Sequence, residues 1–159
     1  MTFSLEWDSR FKKNKNISVW PWSDLVSYVK RYSNFSKKNP KVLELGCGPG
    51  ANIPFFLSIT QNYYAIEGSS TIVKQLVKKF PKLKNNLVVG DFTLKIPFQK
   101  KFDMIYDRAA ITHNDTKSIL NCLENIHNKL NKNGLFIGID WFSTQHSDFV
   151  NGSHVDSFT

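Results

Sequence analysis

The chain has 159 residues, 41% hydrophobic and 14% aromatic, which suits one globular domain with a substantial core and excludes a disordered chain. No apolar run approaches a membrane span, and the N-terminus MTFSLEWDSR has neither the charge nor the apolar core of a secretion signal. Cys47 and Cys122 have no metal-type spacing and make no disulfide scaffold, so a cytoplasmic protein is expected. The formal net charge of +8 comes from 21 basic against 13 acidic residues, but only Arg10, Arg31 and Arg108 are arginine and the lysines are scattered in pairs; a solvated lysine-rich surface is a better reading than a nucleic-acid face.

Residues 1–20 read as irregular, and 1–22 as an aromatic arm carrying Trp7, Phe11 and Trp20, either covering a core edge or closing over a ligand. A helix capped by Ser23 follows, with Leu25, Val26, Val29, Tyr32 and Phe35 on one face. After a polar break at residues 37–40, a short apolar strand runs to Leu45 and ends in Gly46, Gly48 and Gly50. Residues 51–59 predict a short helix that tolerates Pro54 in its first turn. Residues 62–67 predict a second strand ending at Glu67. Ser69 or Ser70 caps a helix whose apolar face is Ile72, Val73, Leu76, Val77 and Phe80, and Pro81 stops it. Residues 87–89 and 102–106 predict two further strands. Asp115 or Thr116 opens a helix with Ile119, Leu123, Ile126 and Leu130 at helical steps, and Asn133–Gly134 turns the chain into a fifth strand over 135–139.

Alternating strands and helices predict an α/β fold, a Rossmann-like and mostly parallel sheet with helices on both faces. Ligands in such folds bind beyond the carboxyl ends of the strands. Those ends carry Glu44 to Gly50, Glu67–Gly68, Asp91–Phe92, Asp107–Arg108 and Asp140–Trp141. Acids at successive strand ends favour a ligand with hydroxyls or a cation, although acids also cap helices.

Two cofactors compete. Gly46, Gly48 and Ala51 satisfy the dinucleotide glycine pattern, and Glu67 lies roughly 20 residues on, where a ribose partner belongs. The alternative is S-adenosylmethionine (SAM). The stretches ELGCGPG (44–50), the acid Glu67, GDF (90–92) and NGLFIGID (133–140) together resemble the class I, Rossmann-like SAM-dependent methyltransferases. The resemblance implies that Glu67 holds the ribose hydroxyls and that Asp91 meets the adenine amino group beside Phe92. It also implies that the glycine turn lets main chain pass close to the methionine part. The chemistry agrees, since Glu44 near the ligand suits a sulfonium and would repel a pyrophosphate. In-line methyl transfer then requires alignment of the acceptor and, for a hydroxyl, removal of its proton.

At the flanks, WDSRF (7–11) and YDRAAI (106–111) are similar to the branch containing thiopurine and tellurite methyltransferases, which implies an aromatic arm closing over the cofactor and an Asp-Arg pair after strand four. WPWSDLVSYV (20–29) and DWFSTQHSDF (140–149) resemble methyltransferases of bacterial surface-polysaccharide and unusual-sugar gene sets. Both imply a small acceptor, a sugar hydroxyl or amine. The expected cofactor-binding set is Trp20, Glu44, Gly46, Cys47, Gly48, Gly50, Glu67, Gly68, Asp91, Phe92, Asp107 and Arg108.

Several of these residues have a plainer reading. Cys47 is either a reactive thiol or a small residue packed under the cofactor, and the second is preferred. His113 is either the general base or a surface histidine. Arg108 either pairs with Asp107 or anchors cofactor or acceptor. Trp141 lines the acceptor pocket or plugs the sheet edge. His146, Asp148 and His154 offer too few ligands for a metal.

The family fold ordinarily continues past strand five with a helix and an antiparallel strand pair, for which residues 141–159 leave little room. The expectation is therefore a chain truncated at its C-terminal side, with strand five an open edge that invites a homodimer. Two readings stand beside the methyltransferase: an NAD(P)-dependent oxidoreductase domain and a non-catalytic SAM-binding module.

Overall fold

Five apolar runs form parallel strands in a computed structural model: β1 (Val42–Leu45), β2 (Tyr63–Glu67), β3 (Leu87–Val89), β4 (Phe102–Arg108) and β5 (Leu130–Ile139). Their order across the sheet is β3-β2-β1-β4-β5. The structure describes residues 5–13, 18–33, 39–141, 143, 145, 147 and 151–152. Phe35, His146, Asp148 and His154, singled out in the sequence, lie outside the described residues.

The central strand is β1. It pairs Val42 with Tyr63 and Leu45 with Ile66 on one side, and Val42 with Met104 and Leu45 with Asp107 on the other. Every residue of β1 is buried, as expected for a strand covered on both faces. Side chains alternate between two cores. Val42, Tyr63, Ala65, Met104 and Tyr106 pack on one face with α2 (Ser23–Tyr32), α3 (Ile53–Leu57) and α4 (Ser70–Lys79). Leu43, Leu45, Tyr64, Ile66 and Ile105 pack on the other with α5 (Thr116–Lys129) and the 96–98 segment. This is the Rossmann-like α/β arrangement expected from the alternation of elements.

The helix signals act as the sequence suggests. The Ser69 hydroxyl accepts the Ile72 N–H at 3.1 Å and starts α4, and Asp115 accepts the Ser118 N–H at 2.9 Å and starts α5. The inward face of α5 includes the buried Cys122 beside Ile126, while Ile119 and Leu123 are only partly buried.

Three expectations change. Residues 5–12 are not irregular but form a helix, α1 (Leu5–Lys12), whose Trp7 and Phe11 stand one turn apart and pack together with centroids 5.9 Å apart. The cap of α2 is Trp22 rather than Ser23, and Tyr32 points to solvent. Asn133–Gly134 does not precede the fifth strand but lies within it. Leu130 pairs with Phe102 and Leu135 with Met104, so residues 131–134 bulge from the ladder, with Asn133 left-handed at φ 63° and the Asn131 amide donating to Asp103 at 2.8 Å.

Candidate functional site

The sheet order reverses beside β1, and the turn after each strand from β1 to β4 opens there onto one cavity of about 300 Å³. Glu44, Gly46, Cys47 and Gly48 come from the end of β1 and its turn, Glu67 and Gly68 from β2, Asp91 and Phe92 from β3, and Arg108 from β4. Trp7 and Phe11 of α1 and Trp22 close the remaining side, and His113 and Asn114 also line the cavity.

The turn after β1 needs its glycines. Gly46 has φ 67°, and a side chain there would collide with the Ala110 Cβ. Gly50 has φ 78°, and an added Cβ would stand 2.6 Å from Leu76 Cδ2 and 2.8 Å from Ile53 Cδ1. Gly50 does not line the cavity; its closeness to α4 lets the turn sit down on that helix.

Glu67 is buried and ties two turns together. One carboxylate oxygen accepts the Gly48 N–H at 2.8 Å, and the other accepts the Ser69 N–H at 2.8 Å. Burial raises its pKa, with the backbone N–H groups of Ser69, Gly48 and Gly68 opposing the rise.

Glu44 is buried too, at 3% exposure. Its carboxylate accepts from the Asn52 amide at 3.0 Å and from the Tyr63 hydroxyl. Burial pushes its pKa up to about 7, against the opposing pull of Tyr106, Tyr63 and Asn52. Asn52 went unnoticed in the sequence, and its only signal was its place just past the glycine turn. Its side-chain oxygen Oδ1 accepts the Trp22 N–H at 3.2 Å, so it joins the arm to Glu44.

Asp91 uses one oxygen to accept from Thr93, at 2.9 Å from the main-chain N–H and 2.6 Å from the hydroxyl. Its other oxygen, Oδ2, is buried and has no partner among the described residues. Phe92 lies beside the glycine turn, with its ring 3.6 Å from where a Cβ on Gly46 would stand. Cys47 is buried in the cavity wall, and burial, then the charges of Glu44 and Glu67, push its thiol pKa well up. A thiol held protonated is a packing group rather than a nucleophile.

Besides Gly50, two expected cofactor residues stand outside the cavity wall. Asp107 is fully buried and accepts the N–H groups of Ala110 at 2.9 Å and Ile111 at 3.0 Å and the Trp141 indole N–H at 2.8 Å. Its carboxylate shapes the turn after β4 instead of facing a ligand. Trp141 is thereby held at the sheet edge, against Gly138 and Phe136. Trp20 is 80% exposed, and Trp22, the residue just before α2, takes the place at the cavity.

Arg108 pairs with Asp140 at 2.5 Å, not with Asp107. Its guanidinium carbon lies 3.4 Å from the Trp22 ring centroid, and its Nε is buried without a partner among the described residues. His113 and Trp7 pack in a tilted, edge-type contact with centroids 5.5 Å apart, and burial lowers the His113 pKa. A neutral imidazole at the cavity can accept a proton.

No curated protein matches the chain by sequence. Several solved structures share its fold. One is the glycopeptide N-methyltransferase MtfA complexed with SAM, 21% identical over 75% of this chain and 54% of that one, with a TM-score of 0.60. Another is SAM-bound CalS10 from Micromonospora echinaspora, an amino pentose methyltransferase involved in calicheamicin biosynthesis, 16% identical over 89% of this chain and 58% of that one, with a TM-score of 0.65. A third is an S-adenosylmethionine-dependent methyltransferase from Clostridium acetobutylicum, 20% identical over 96% of this chain and 64% of that one, with a TM-score of 0.66. The chain thus spans roughly half to two thirds of the length of these proteins. The sequence model of the methyltransferase domain matches residues 42–134, from the first residue of β1 into β5. With more than half of its length inside that match, the chain belongs to the class I, Rossmann-like SAM-dependent methyltransferases.

Proposed function

We propose that the cavity holds S-adenosylmethionine and serves methyl transfer to a small-molecule acceptor, with a sugar or cell-surface polysaccharide precursor the first class to test. The observation that carries the reading is the buried Oδ2 of Asp91 in the cavity wall, which has no partner among the described residues. A buried acceptor atom is costly to leave unsatisfied, and an amino group on an adenine ring would satisfy it. Glu67 keeps lone pairs for a ribose diol after accepting from Gly48 and Ser69. Glu44 and the turn of Gly46, Cys47 and Gly48 would face the amino-acid end, and Phe92 would flank the base. Gly68 would let main chain pass close to the ribose, and Gly50 would support the turn from behind.

When bound, the cofactor supplies an electrophilic methyl group on a sulfonium. The chain's own contribution is to hold that group among carboxylates, to exclude water with Trp7, Phe11 and Trp22, and to present the acceptor beside Arg108, Asn114 and His113. His113 is the candidate general base, since burial lowers its pKa and so favours the neutral imidazole. Solved relatives by fold include a glycopeptide N-methyltransferase and an amino pentose methyltransferase, which supports small acceptors.

An NAD(P) site is disfavoured by Glu44 and Asp91 lining the same cavity, because a pyrophosphate would meet their charge. Residues 1–159 are read as one methyltransferase domain in which 1–22 serves as the arm. No described helix is long and apolar enough to cross a membrane; a cytoplasmic location and a homodimer along the β5 edge belong to the same proposal. Calorimetry with SAM, its demethylated product S-adenosylhomocysteine (SAH) and NAD tests the cofactor, and binding of NAD alone would overturn it. Radiolabelled methyl transfer onto activated sugars and small thiols tests the acceptor. Cofactor binding with no transfer to any acceptor would favour the non-catalytic module.

A further inference from the structure

We propose that Asp8 is a positioning residue, the latch that fastens α1 over the cofactor end of the cavity and couples this lid to Glu67. The inference rests on the cofactor reading above.

An isolated helix as short as α1 is not stable in water, where roughly 12–15 residues are needed even for good helix formers. Its helical state therefore depends on what it docks against. Two of its attachments lie at the glycine turn and the start of α4. Phe11 is buried and reaches the glycine turn, 4.0 Å from where a Cβ on Gly48 would stand. Asp8 accepts the Ser69 hydroxyl at 2.5 Å through one oxygen and the Lys12 ammonium at 2.8 Å through the other.

The Ser69 bond has a fixed direction. The Ser69 oxygen already accepts the Ile72 N–H, so its single proton is available to Asp8. The Ser69 main-chain N–H is given to Glu67. Asp8, Ser69 and Glu67 thus form one chain of hydrogen bonds from the lid to the acid expected to hold the ribose. The carboxylate also stands at the N-terminus of α4, where the helix dipole favours negative charge. An asparagine at position 8 would keep the shape and lose the charge that both Lys12 and the helix end favour.

The lid touches another residue of the cavity wall as well. Trp7 precedes the latch and packs against His113 in a tilted, edge-type contact. With Asp8 fastened, Trp7 and Phe11 wall one side of the cavity, so lifting α1 would widen the way out for a ligand.

The test is Asp8→Asn in the full chain. Without ligand, hydrogen exchange of the amides in residues 5–12 is expected to quicken several-fold, with Tm nearly unchanged. With SAH, stopped-flow tryptophan fluorescence is expected to show dissociation accelerated roughly tenfold, the size of one charge-assisted hydrogen bond. Native exchange in α1, or a native SAH release rate, overturns the latch. Failure of the native chain to bind SAH overturns the cofactor reading instead, and the ligand-free exchange then decides the latch by itself.

Discussion

The Glu67 carboxylate accepts the Gly48 N–H at 2.8 Å, so the end of β2 holds the turn that follows β1 in place. The same carboxylate accepts from Ser69 and so also sets the start of α4. Glu67→Ala would leave both N–H groups without their acceptor. The expected cost is about 2–4 kcal/mol of stability, read by denaturant unfolding, together with SAH binding weakened at least tenfold by roughly 1.4 kcal/mol or more. Glu67→Gln keeps one acceptor oxygen and should fall between.

Glu44 should impose a pH dependence. Its pKa stands at about 7 in the folded chain against an ordinary 4.5, so the folded state binds more protons between those values. The contribution of Glu44 to stability is then greatest below about 4.5 and falls as the pH rises to about 7, by on the order of 3 kcal/mol. Glu44→Gln should flatten that part of the stability profile when unfolding is measured from pH 4.5 to 8. A cationic cofactor favours the ionised carboxylate, so SAM affinity of the native chain should rise through pH 7 and that of the variant should not.

Two glycines should respond very differently to alanine. Gly50→Ala forces a left-handed alanine and drives its Cβ into Leu76 and Ile53, and about 2–4 kcal/mol of destabilisation is expected. Gly90, in the cavity wall, would bring a new Cβ only to 3.5 Å from Ile66, an ordinary contact. Gly90→Ala should leave stability within about 0.5 kcal/mol, and thermal melts of the two variants distinguish them.

Arg108 and Trp22 should be energetically coupled. The guanidinium lies 3.4 Å from the ring centroid and is steadied by Asp140. A double-mutant cycle of Arg108→Met and Trp22→Leu should give a coupling of about 0.5–2 kcal/mol. Arg108→Lys should not rescue it, because an ammonium lacks the planar face that stacks on the indole. Additive single effects would show that the two residues merely adjoin.

Much of this was legible in the sequence because local chemistry decided it. The apolar runs at 42–45, 63–67 and 102–106, the capping residues Ser69 and Asp115, and the left-handed glycines after β1 each act over a few residues. α1 was not legible, since its sequence carries too little apolar periodicity to predict a helix that only docking stabilises. The bulge at Asn133–Gly134 was hidden because a turn signal and a bulge signal use the same residues. Asn52 was missed because its importance lies in partners distant in the chain, Glu44 and Trp22.

The sequence by itself determined the order of strands and helices, the glycine turn and the acids Glu44, Glu67 and Asp91 at the strand ends, because hydrophobic period, caps and positive φ are local demands. Tertiary structure decided which of those residues face the cavity. It turned Asp107 toward the N–H groups of Ala110 and Ile111, paired Arg108 with Asp140, and set Trp22 rather than Trp20 at the wall. A buried polar group takes whichever partner the packed chain brings within hydrogen-bond reach, and that choice depends on contacts between residues far apart in the chain.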